Sequence, residues 1–250
     1  MIHLLWQQIR HQNRMFWRNP VAAFFTLVLP LVFLLLVNVL FGGAEVRGVP
    51  FAQFFTPAIG VFAAVSATFT NLAIGTAIAR DQGVLKRIRG TPLRPWLYIA
   101  GRISSAIWIA FLSVTLMFGV GWLVYDVEVL WGRLPQAVLV FVIGVAAFSA
   151  MGLAVASLVR KGDAVPAAAN AVILPMAFVS DIFLVPDDPP KWLELAGDVL
   201  PLKHFARLFG DAFNPLLTEP AISWDRLAVI GAWGLAAGLL AVRYFRWSAD

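Results

Sequence analysis

Residues 21–41 read VAAFFTLVLPLVFLLLVNVLF, 21 consecutive positions without one ionisable side chain. A helix of about 20 mostly apolar residues crosses the roughly 30 Å of a bilayer's hydrocarbon. Arg10, Arg14 and Arg18 stand just before the run, as basic residues do in a secretory signal, but a signal's apolar core holds only about 7–15 residues. The stretch therefore predicts an uncleaved spanning helix. Five more runs follow, at 51–79, 96–125, 134–159, 164–185 and 227–242, separated by charged or Pro/Gly-rich breaks. The second and third are long enough to tilt or bend. The last is short and borrows Trp224 and Tyr244 as interfacial ends.

Composition points the same way. Of 250 residues, 60% are hydrophobic and 13% charged, and the mean hydropathy is +0.81. Such a chain needs lipid to solvate its outside. The net charge of +5 sits in short inter-helix segments rather than along one face, so it argues for topology rather than for nucleic acid. There is no cysteine, and so neither a disulfide framework nor a thiolate metal site. The reading is an all-α polytopic protein with six transmembrane helices and a single permease domain over 1–250.

Cationic loops are retained in the cytoplasm. With the N-terminus inside, twelve of the 19 Lys and Arg residues fall inside and six outside. Both termini are therefore expected in the cytoplasm, in the cell membrane. The remaining cation, Arg102, lies within the third span, where its long side chain can snorkel back to the interface.

Residues 2–19 form a candidate interfacial helix. At 100° per residue, Ile2, Leu5, Ile9 and Phe16 fall together, with His3, Arg10, Arg14 and Arg18 opposite and Trp6 and Trp17 at one boundary. Such a helix either transmits lateral force to the first span or serves as a passive anchor.

The stretch 80–95 begins RDQGVLKRIRGTPL. Val84, Leu85 and Ile88 share one face of a short helix while Lys86, Arg87 and Arg89 point elsewhere, and Gly90 to Pro92 stops it. A helical knob of this kind is something a motor subunit can grip; the alternative is an ordinary basic loop. The stretch resembles the coupling helix of type-2 ATP-binding-cassette (ABC) exporter permeases, whose pattern is roughly Arg-Glu-x-Gly-x-x-x-x-x-Arg-x-Thr-Pro-Leu. Arg80, Gly83, Arg89, Thr91, Pro92 and Leu93 match, and Asp81 stands where Glu is usual. Arg18, Asn19 and Pro20 are similar to that family's Arg-x-Pro lead into the first span. After the fifth span, Ser180, Phe183, Pro186, Pro190, Trp192, Leu193, Pro201 and Leu202 resemble a second family pattern, with Asp181 in place of Gly.

The resemblance covers essentially the whole chain. It implies an exporter subunit for an amphiphilic drug, lipid or glycan, working as two copies, either a homodimer or a pair with a related permease. A cytoplasmic ABC ATPase would carry the ATP and Mg. It makes Arg80, Asp81, Gly83, Leu85, Arg87, Ile88, Arg89, Thr91 and Pro92 the coupling residues, and it turns 186–226 into short re-entrant helices capping the outer end. The residues allow this: prolines break that segment into pieces richer in apolar surface than a solvated loop requires.

Two further features concern the pathway. At helical spacing, Thr56, Gly60, Ala64, Ala67, Asn71 and Gly75 share one small, polar face of the second span, with Thr68 beside them, while Phe55, Phe62 and Phe69 cluster opposite. That face either looks onto the pathway or dimer seam, with the phenylalanines toward lipid, or is simple helix packing. Asp181 is the one acid in a span-like stretch, either in the pathway or at the outer interface. Gly234 and Gly238 form a weak Gly-x-x-x-Gly packing signal.

What is missing narrows the function. No Gly-Lys pair occurs, so there is no phosphate-cradling loop, and ATP hydrolysis must come from a partner. His3, His11 and His204 make no helical zinc pair, and there is no Gly-x-Ser-x-Gly elbow. No catalytic residue, metal or cofactor is therefore expected on this chain. The rival readings are an ion-driven secondary transporter, which predicts buried acids in both halves, and a membrane enzyme or assembly factor.

Overall fold

A computed structural model describes residues 2–46, 48–90, 95–183, 190–217 and 222–245. Among these the structure is helical apart from one short hairpin. In chain order the helices are α1 (Ile2–Trp17), α2 (Pro20–Phe41), α3 (Phe51–Asp81), α4 (Val84–Arg89), α5 (Pro95–Tyr125), α6 (Leu134–Leu158), α7 (Val165–Val179), α8 (Lys191–Val199), α9 (Pro201–Asp211) and α10 (Trp224–Tyr244). Six of them, α2, α3, α5, α6, α7 taken with the turn Gly162–Ala164 before it, and α10, are long and apolar enough to cross a membrane. The chain is an all-α polytopic membrane protein, as its composition requires.

Local chemistry sets the ends. Asn19 accepts a 3.2 Å bond from the Ala22 amide and Pro20 opens the helix, so α2 starts where the apolar run starts. One turn before Pro30, α2 widens into a π-bulge at Phe24–Val28. Proline has no N–H for the carbonyl four residues back, and its ring crowds that carbonyl, so a bulge relieves the conflict. A second π-bulge, Ser66–Thr70, interrupts α3. The two helices are tied beside these bulges by Asn71 Nδ2 donating to Thr26 Oγ1 at 2.6 Å. Between them, strands β1 (Glu45–Val46) and β2 (Val49–Pro50) pair antiparallel across a turn in which Gly48 has φ +80°.

The centre of the bundle is α3, against which α2, α5, α6, α7 and α9 all pack. Its alanines at 63, 64, 67, 73 and 77 are buried, because helices can approach closely only over small side chains. The last span, α10, packs mainly along α6, with Gly234 against the backbone of Ala147. Gly238 has nothing beside it, so the Gly-x-x-x-Gly pair is only half used within the protomer.

Three expectations change. The fifth span ends at Val179, because the chain turns at Ser180 and Asp181 takes a left-handed conformation, φ +59°. The last helix runs from Trp224, three residues earlier than hydropathy alone suggests. The inner face of α1 is not simply apolar: beside Leu5, Ile9 and Phe16 it carries Gln8, packed on Gly101, and Asn13, which accepts a 2.6 Å bond from the Ser105 hydroxyl. The helix is fastened to α5 by polar contacts, and Trp6 and Trp17 are left exposed.

Candidate functional site

The knob is built from Asp81 onward. Gly83 adopts φ +69°, a left-handed turn that glycine takes without strain, and α4 starts in a new direction at Val84. Leu85 is the anchor: it is 0% exposed and clusters with Ala79 of α3 and Tyr98 of α5, with Val84 and Ile88 at the edge. Lys86 and Arg87 are exposed, and Arg87 donates to the Gln82 carbonyl at 3.1 Å. The side chain of Arg89, and Thr91 and Pro92 entirely, lie outside the described residues.

Two of the expected coupling residues are turned inward. Leu85 faces the bundle. Arg80 is only 3% exposed; its guanidinium donates to the backbone carbonyls of Ala156, Val159 and Arg160 at 2.7, 3.0 and 2.8 Å. Those carbonyls belong to the C-terminal end of α6 and the residues just after it, where a helix has no N–H partners of its own. A cation there also complements the negative end of the helix dipole. Asp81, 40% exposed, lies against Gly162, where an added methyl group would strike its carboxylate.

The small face of α3 is covered within the protomer. Gly60 meets Val114 and Phe118 of α5, Thr56 packs against Gly121, and Gly75 lies under the Arg102 guanidinium. Thr68 is buried and returns its hydroxyl bond to the Ala64 carbonyl at 2.8 Å. Asn71 is half-buried and bound to Thr26. Nor do the phenylalanines face lipid: Phe55 and Phe69 are buried, Phe69 with its backbone against Gly152. A helix with neighbours on every side has no lipid face, and a two-sided pattern cannot reveal that. Phe62 instead joins Phe33 and Phe178 around Phe183, each with its ring centre 5.0 to 5.5 Å from that of Phe183. Phe33 and Phe178 keep exposed sides.

Arg102 does not simply snorkel. It is covered by Tyr98, donating to the phenol oxygen at 2.9 Å with its guanidinium 5.7 Å from the ring centre.

With this geometry in view, comparison with known proteins is informative. A profile of the family described as ABC-2 type transporter matches residues 3–213. The chain belongs to that family. Two relatives agree. The daunorubicin resistance ABC transporter permease protein DrrB1 of Streptomyces coeruleorubidus is 28% identical over 227 residues, 89% of this chain and 77% of the relative. YvfS of Bacillus subtilis (strain 168), to which a transport-permease role is provisionally assigned, is 22% identical over 244 residues, 96% and 95% of the two chains.

In this ABC-2 permease, the end opposite α4 is closed by α8 and α9. Leu202, Phe205, Leu208 and Phe209 of α9 are buried, and Gly144 leaves the space that the Phe205 ring fills. Asp181 Oδ2 accepts two bonds from Arg207, at 3.0 and 2.6 Å, beside a cavity of about 130 Å³ between α3, α7 and α9. Asp181 occupies the glycine position of the family pattern, and its positive φ explains glycine there; aspartate is among the few other residues that tolerate this conformation.

Sequence reasoning missed Gln53, Lys203 and Phe183's role as a hub. The buried Gln53 amide donates to the carbonyls of Phe213 and Glu128 at 2.6 and 3.1 Å and accepts from the Glu128 amide at 2.8 Å, joining three segments at this end. Lys203, buried, reaches Asp198 at 2.8 Å and holds that carboxyl below its ordinary range, while His204 Nε2 donates to the Asp198 carbonyl at 2.7 Å. A glutamine in an apolar run and a lysine on an amphipathic helix were the available signals. No cluster of metal-ligating side chains occurs among the described residues.

Proposed function

We propose that this permease is the membrane subunit of an exporter driven by a separate cytoplasmic ATPase, which binds ATP and Mg and grips the α4 knob. One observation carries the reading: α4 is a short helix anchored by the fully buried Leu85, with Val84 and Ile88 half-buried beside it and Lys86 and Arg87 left exposed at the surface. Membership of the ABC-2 family supports it. Two copies enclose the passenger's route, and nucleotide state biases two arrangements of packed helices. In this reading α4 and both termini are cytoplasmic, as the loop charges favour.

The passenger is an amphiphile, a drug or lipid rather than a strongly charged solute. The half-open ring cluster of Phe33, Phe62, Phe178 and Phe183 offers it apolar, aromatic contact. A relative named for daunorubicin resistance supports the same class.

The test is co-purification with a candidate cytoplasmic ABC ATPase. K86E together with R87E is expected to abolish the association while the permease still inserts and folds. Undiminished association would sink the reading. Leu85 is unsuitable for this test, since a buried glutamate there disrupts the knob itself.

A further inference from the structure

We propose that Arg80 is the joint through which movement of the α4 knob reaches the fourth and fifth spanning helices, a positioning residue rather than an ATPase contact. The proposal rests on the coupling role given above to α4, and goes beyond it by naming the route inside the permease.

Leu85 joins the knob to α3 and α5, through Ala79 and Tyr98. Those are its own covalent neighbours in the chain, and the contact is apolar and undirected. Beyond α3 and α5 the apolar cluster around Leu85 meets Phe245, just after α10, and among the described residues it holds none from α6 or α7. The link to them is made by the residue three positions before the knob's glycine hinge. Arg80 sits at the last turn of α3 and spreads its guanidinium over the carbonyls of Ala156, Val159 and Arg160. Its bond to neighbouring Asp81, 3.4 Å, is longer than any of the three. The carbonyls therefore hold the guanidinium in place, not the carboxylate.

Next to it, Asp81 rests on Gly162, in the turn Gly162–Ala164 that starts α7. Two successive side chains thus grip the end of α6 and the start of α7. A planar, forked guanidinium is well suited to such a joint, because several N–H groups reach carbonyls spread over five residues at once. Since α6 carries α10 along its length, a displacement passed through Arg80 reaches α10 as well.

The chain has no cysteine, so single labels can be introduced cleanly. Spin labels on G90C, at the end of the knob, and K161C, in the α6–α7 loop, report the distance between the two elements in the complex with a candidate ABC ATPase, without nucleotide and with ATP. If Arg80 is the joint, that distance stays constant to within about 2 Å in the parent protein, as for elements that move as one body, and a change of about 5 Å or more overturns the proposal. With R80Q added, the distribution broadens and shifts with ATP; R80K, which keeps the charge and loses the fork, lies between.

The same variants are assayed for daunorubicin moved per ATP hydrolysed in liposomes. R80Q is expected to lower that ratio about tenfold while the ATPase stays bound. An unchanged ratio with unchanged distances defeats the joint. The two readings separate: if the ATPase never binds, the coupling role of α4 falls, yet R80Q still broadens the 90–161 distance in the free permease if the tie is real.

Discussion

At the α9 end of the bundle, Leu202, Phe205 and Leu208 are fully buried, and the rings of Phe205, Phe209, Phe213 and Phe118 follow one another into the core at 4.3 to 6.2 Å. At the α4 end one leucine is fully buried, Val84 and Ile88 are half-buried and Lys86 and Arg87 face outward, with Arg80 beside them bonded to backbone carbonyls. The first end is closed by area, which is undirected and opposes any separation. The second is held by a few directed bonds around a glycine hinge, an arrangement that lets a small rigid element transmit displacement without melting. The chain builds the cap, and the knob proposed above as a lever, with different chemistry.

The contrast yields a ranked set of expectations. F205A should cost most, about 3–5 kcal/mol, because a ring is removed from a packed core and Gly144 cannot fill the space. Thermal unfolding in detergent measures it. L85A should cost less globally, since only a short helix depends on it, but about 2 kcal/mol locally. Hydrogen exchange should rise over 84–89 and stay unchanged in α9. If L85A lowers global stability more than F205A, the cap and the lever have been misassigned.

At Asp181 two substitutions separate two effects. Both D181G and D181A lose the pair with Arg207, but only alanine retains the strain of φ +59°. D181A should therefore be less stable than D181G by about 1 kcal/mol in chemical denaturation. A reversed order would show that the turn relaxes.

The smallest effect concerns Asp198. Lys203's hydrogen bond lowers its pKa from 3.8. A carboxyl with a lowered folded value contributes stability above the unfolded value, and that contribution disappears as pH falls through the folded one. Stability should consequently decline below about pH 4 in the parent and lose this component in K203M, read from unfolding midpoints across pH. Because Asp198 is largely exposed, the difference is small.

Much of the fold is legible in the chain alone. Six apolar runs, the start of α2 at Asn19-Pro20, the α4 helix and the break-rich segment before α10 follow from length, capping and proline chemistry, which act within a few residues. The candidate site is legible only in part. Lys86 and Arg87 can be placed on the outer side of α4 by periodicity, and Phe183 stands in a recognisable pattern. Neither periodicity nor pattern can tell that Arg80 turns inward, since an arginine at a helix end is ordinarily a solvated one. Equally, the small face of α3 reads the same whether a passenger or α5 covers it.

The sequence by itself determined that this protein lives in a membrane, how often it crosses, and where its charged knob and apolar cap lie. Hydrocarbon thickness and backbone hydrogen bonding leave no other solution for such runs. Only the tertiary structure decided which helix is central, which side chains of the knob face the bundle, and that Arg80 closes the end of α6. Those outcomes depend on neighbours distant in the chain, and a residue's partner across a bundle is set by packing of whole helices rather than by its own surroundings in sequence.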